Sequence, residues 1–146
     1  MLNPNTSYRI STDAAVALFL RVGIGFLFFF AGLNKFLRDG GALGVADSML
    51  ERFGDTFIPQ FLLVPYVYVL PYAEILCGAL LIVGLFSRPA ILFACALLVS
   101  LAFGLFVDQN GDTAAKVINY LLVTSVALWF ISRDNRYSLD FLRKRP

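Results

Sequence analysis

The chain contains no histidine. That excludes a histidine-ligated haem, the common zinc and copper centres, and any Ser-His-Asp or Cys-His catalytic unit. No intrinsic cofactor and no metal site are expected. Two cysteines are too few for a disulfide scaffold or a four-thiolate cluster. Charge is scarce as well, at 15% of residues where about 25% is usual. The net charge of +2 and a pI near 8.7 carry no nucleic-acid footprint. What is abundant is apolar: 59% of the 146 residues against about 45–50% in an ordinary soluble domain, with a mean hydropathy of +0.76. A chain so composed is neither disordered nor a soluble enzyme with an added domain. It reads as one integral membrane domain over residues 1–146.

Four apolar runs are long enough to cross a hydrocarbon core of about 30 Å as helices. They extend from about Ala14 to Leu37, Leu62 to Phe86, Ala90 to Val107 and Ala114 to Ile131. None alternates with period 2, so barrel strands are excluded and the backbone must satisfy itself in helices. The first run carries Arg21, is long, and lacks a small-x-small cleavage site before Asn34-Lys35, so it reads as a retained span rather than a signal peptide. In the loop between the first two spans, Leu43, Ala46, Leu50 and Phe53 recur at helical spacing between Gly40-Gly41 and Gly54. The expected fold is an all-α, four-helix transmembrane bundle with a short amphipathic helix in that loop. The acidic face of the loop helix, Asp47 and Glu51 with Asp55 beyond, reads as a solvated surface or a dock for a partner protein.

Orientation follows from the cations. Arg9, Arg88, Arg133, Arg136, Arg143, Lys144 and Arg145 gather on one side. Lys35, Arg38, Arg52 and Lys116 lie on the other, diluted by six carboxylates. The positive-inside rule then places both termini in the cytoplasm.

Ionisable groups at membrane depth cost roughly 2.5–3.5 kcal/mol each, so each asks for a reason. Arg21, Gly25, Phe28, Gly32 and Lys35 share one arc of the first span, which should face protein rather than lipid. Glu74 sits near the middle of the second span with Cys77, Gly78 and Leu81 on its face and Pro71 one turn earlier, where a kink is expected. An Arg21–Glu74 interaction is predicted, either as a structural pair or as a proton or ligand site suited to a quinone head group. Asn119 and Tyr120, with Lys116, form a second polar cluster that could meet Asn34 and Lys35 around a cavity; the plainer reading is that both lysines snorkel to the interface. Ala96, Ser100 and Gly104 follow a small-xxx-small pattern that reads as helix packing. Cys77 and Cys95 are read first as small core residues and second as a redox pair.

The ordered set resembles the DoxX family of small bacterial membrane proteins. The resemblance rests on Leu20-Arg21-Val22, Gly25 through Gly32 to Lys35, Pro71-Tyr72-Ala73-Glu74, Gly78, Gly84 to Pro89, and Arg136-Tyr137-Ser138-Leu139-Asp140. It implies a bacterial inner-membrane bundle that works beside redox enzymes. Relatives of that kind include a subunit of a thiosulfate:quinone oxidoreductase and a membrane partner of a sulfurtransferase and a superoxide dismutase. The expected function is an accessory subunit of a redox or thiol- and sulfur-handling system, contacting quinone near Arg21 and Glu74. The expected partners are the bilayer and redox proteins, with homo-oligomerisation open. Two alternatives stand beside it: a scaffold for partner proteins, and a binding or transport module for a small solute or lipid.

Overall fold

Each long apolar run folds as one helix, because in lipid every backbone N–H and C=O must find its partner within the segment. The computed structural model of the chain describes residues 12–135 and 137–140. Five helices follow in order: α1 (Thr12–Leu37), α2 (Gly41–Phe53), α3 (Gln60–Val83), α4 (Ser87–Val107) and α5 (Gly111–Arg133). All but α2 are long and apolar enough to span a membrane. Large apolar side chains such as Phe19, Phe26, Phe30, Leu92 and Trp129 point outward. That is the pattern of a bundle whose solvent is hydrocarbon.

The second span ends at Val83, short of the expected Phe86. Gly84 (φ 78°) and Phe86 (φ 51°) both adopt left-handed backbone, which stops α3 and reverses the chain into α4. Gly84 closes α3 by donating its N–H to Leu80 O at 2.9 Å. Pro65 and Pro71 both lie inside α3, which nonetheless runs as one helix.

α1 and α3 form the closest seam. A Cβ on Gly78 would run into the backbone of Phe29 and Gly25, so only glycine lets these two helices come together. Gly32 meets the Pro71 carbonyl and Ile75 in the same way. The arc of Arg21, Gly25, Phe28 and Gly32 is buried as expected.

α2 lies across one end of the bundle. It packs on α3 through Ala46, Leu63 and Val67, with Met49, Leu50 and Phe53 at the margin. Leu43 is exposed, while Ala42 and Ala46 are buried. Asp13 and Arg133 approach to 3.7 Å, so the first and last spans end on one face, as four spans require. Arg88 and Arg133 lie at that end, and Lys35, Arg38, Arg52 and Lys116 at the α2 end. Arg9, Arg136, Arg143, Lys144 and Arg145 lie outside the described residues.

Candidate functional site

The predicted Arg21–Glu74 interaction is not made. The Glu74 carboxylate accepts instead from Lys35 Nζ, in an ion pair whose carboxylate is 2% exposed and whose ammonium-bearing side chain is 17% exposed. The reason is register. Gly25 lies against Gly78 and Ile82, and Gly32 against Pro71 and Ile75, which sets Lys35 within about a turn of Glu74 and Arg21 beside Gly84. Lys35 therefore turns inward rather than snorkelling out to the interface.

Arg21 belongs to a different structure. Its Nη2 donates to the Tyr137 carbonyl at 2.8 Å, and its guanidinium lies over Gly84, where any Cβ would displace it. The segment after α5 is thereby drawn beneath the α3–α4 turn. There Asp140 caps α4 from a distance: Oδ1 accepts from the Phe86 N–H at 2.8 Å and Oδ2 from the Ser87 N–H at 2.7 Å. These are two of the amides a helix start leaves unpaired, and a carboxylate there also meets the positive end of the helix dipole. Partial burial raises the Asp140 carboxyl, but the Ser87 and Phe86 amides together with Arg21 outweigh it and hold the group below the usual carboxylate range.

The remaining expected site residues are dispersed. Asn119 and Tyr120 are exposed on α5, as are Lys116 and Asn34, and the expected cavity joining them to Lys35 is not gathered. α5 turns Ala114, Thr124, Ala127 and Ile131 inward, and that choice of face carries Asn119 and Tyr120 outward. Cys77 is buried and donates to the Ala90 carbonyl at 3.4 Å, while Cys95 is half-buried; both are free thiols.

A feature the sequence reading missed lies between α3 and α4. Tyr66 and Ser100 bring their hydroxyls to 2.9 Å, and Ser100 donates onward to the Leu97 carbonyl at 2.8 Å. Both line a cavity of about 470 Å³ that α2 covers with Met49 and Phe53. Arg52 closes one edge by donating from Nε to Asp108 Oδ1 at 2.9 Å. Ser100 and Gly104, expected to pack helices, line this cavity, and Ala96 is exposed. A period of four in small residues locates a face but not what covers it, so spacing alone did not show the cavity.

Comparison with known proteins corrects the family reading. Residues 13–116 match the family described as methylamine utilisation protein MauE, and nothing supports DoxX. The match takes in α1 to α4 and the first turn of α5, and with them Arg21, Lys35, Tyr66, Glu74 and Ser100. No curated protein and no solved structure matches the chain.

Proposed function

The chain belongs to the MauE family, and on that premise we propose that it is an accessory inner-membrane subunit of a redox or thiol-handling system. The observation that carries this reading is the Lys35–Glu74 pair, whose carboxylate is buried within the membrane-spanning region that matches the family. The family's description, methylamine utilisation, supports a redox setting for this reading. A chain without histidine leaves electron carriage to partner proteins or to a diffusible quinone, which contacts Glu74 in this reading. Lys35 orients the Glu74 carboxyl through its hydrogen bond, and a proton or ligand reaching Glu74 competes with that contact. The positive-inside rule places the Asp13–Arg133 end in the cytoplasm.

The test is the quinone content of protein purified in mild detergent, wild type beside Glu74→Gln. Near-stoichiometric quinone that the substitution removes is expected. Equal trace amounts in both would make Lys35–Glu74 a structural pair and return the search to partner proteins. A scaffold role is favoured by one observation, the exposed carboxylates of Asp47, Glu51 and Asp55 at the α2 end. Under that reading, reversing the three charges releases a partner while quinone content is unchanged.

A further inference from the structure

The cavity between α3 and α4 has three properties that together name a ligand class. Its walls are apolar, and Phe53, Tyr66 and Phe103 present aromatic surface to it. Its volume of about 470 Å³ lies within the range of about 300–1,000 Å³ usual for small-molecule sites. Besides the Arg52–Asp108 pair at its edge, the polar groups lining it are the Tyr66 and Ser100 hydroxyls.

The Leu97 carbonyl offers the Ser100 proton an acceptor, and on that assignment a direction for the Tyr66–Ser100 bond follows. Ser100 has a single hydroxyl proton, and it is directed to the Leu97 carbonyl. Tyr66 therefore donates to Ser100, which leaves the phenolic oxygen with lone pairs to offer. A complementary ligand brings a donor, an O–H rather than a carbonyl.

Depth narrows the class further. Ser100 lies seven residues from the end of α4 and Tyr66 six residues from the start of α3, so the pair sits about 10 Å inside the helix ends. α4 has 21 residues, a length of about 31 Å that matches the hydrocarbon core. The polar parts of a phospholipid stay at the interface above that depth. A molecule that carries its hydroxyl into hydrocarbon on an aromatic body meets all three conditions, and rings stack favourably on the aromatic walls.

We propose that this cavity binds the hydroquinone head of a lipid-soluble quinol, with Tyr66 accepting a hydrogen bond from a ring hydroxyl. The assignment rests on the reading of the chain as a quinone-linked subunit and names the redox state that it retains. Tyr66 and Glu74 are eight residues apart on α3, about 12 Å along its axis, so the cavity is a second contact distinct from the one at Glu74, and the two are separable by mutation.

The experiment is anaerobic titration of the purified full chain with decylubiquinol and, separately, with decylubiquinone, in lipid nanodiscs. The wild type should bind the reduced form roughly fivefold more tightly, the worth of about one hydrogen bond. Tyr66→Phe, which keeps the ring and the fold, should erase that preference while leaving decylubiquinone affinity unchanged. Gly104→Phe fills the cavity and should abolish saturable binding of both forms. Size-exclusion profiles and melting temperatures of both variants check the fold. Equal affinity of the wild type for the two forms, or a preference that survives Tyr66→Phe, overturns the assignment. So does phospholipid that keeps the cavity filled against added quinol, or the absence of saturable binding. Quinol binding lost in Glu74→Gln but intact in Tyr66→Phe would move the ring to Glu74, sinking this site while sustaining the proposed function.

Discussion

The two sides of α3 are built on opposite principles. Toward α1 the helix presents Gly78, and backbone meets backbone with no room for a methyl group. Toward α4, at the α2 end, it presents Tyr66 and Leu63 across a cavity, and α2 and the Arg52–Asp108 pair close over the space. Small residues occur on both seams. On the first they bring helices together; on the second Gly104 leaves room, with the Phe53 ring 3.7 Å from where its Cβ would stand. A small residue is thus permissive, and the opposing surface decides whether it yields a contact or a volume.

The largest effect that would test this contrast lies on the tight seam. Lys35→Met strands a carboxylate that is 2% exposed, and breaking a buried pair in this way costs about 3–5 kcal/mol. Adding Glu74→Gln should recover most of that loss, since removing both charges avoids the stranded ion. Melting temperatures of the two variants in one detergent decide it. A double variant no more stable than Lys35→Met would show that the pair is not what holds the seam.

A smaller effect comes from making one substitution on both seams. Gly78→Ala forces a methyl group into the Phe29 and Gly25 backbone, and overpacking of this kind costs about 1–3 kcal/mol. Gly104→Ala meets only ordinary van der Waals contact, and the helix gains about 0.5–1 kcal/mol from losing a glycine. Opposite signs in thermal unfolding are expected. Equal losses at both positions would erase the distinction between the seams.

The smallest effect lies at the end of the bundle where neither seam dominates. Because Asp140 is held below the usual carboxylate range, its stabilising contribution is complete above about pH 4 and disappears as pH falls through its lowered value. The melting difference between wild type and Asp140→Asn should be about 1 kcal/mol or less at neutral pH and should shrink in acid. A difference that persists unchanged at low pH would show that the cap does not depend on the charge of Asp140.

Much of the architecture was legible in advance. The four spans follow from apolar run length, and α2 follows from its flanking glycines with a helical period between them. Pairing was harder to read. Depth along each helix pairs Arg21 with Glu74, but depth counted from helix ends does not know the register, and the register is set by glycines in contact. Asn119 and Tyr120 suggest a cavity because they are polar within a span; the inward face of α5 is chosen by Ala114, Thr124 and Ala127. The Tyr66–Ser100 pair joins residues 34 positions apart on two helices, a proximity that no local pattern carries. The family resemblance failed for a related reason. Arg21, Gly84, Ser87 and Asp140, which carried much of it, are neighbours in one structural joint, and such a joint serves a helix bundle whatever the bundle does.

That joint has a consequence for how the protein is made. Asp140 follows Ser87 by 53 residues in the chain, so the whole of α4 and α5 separates a helix start from the carboxylate that caps it. The α3–α4 turn must wait with its amides open until α5 has crossed and the following segment has turned back. Completion of the α4 start therefore depends on residues made after the helix they finish.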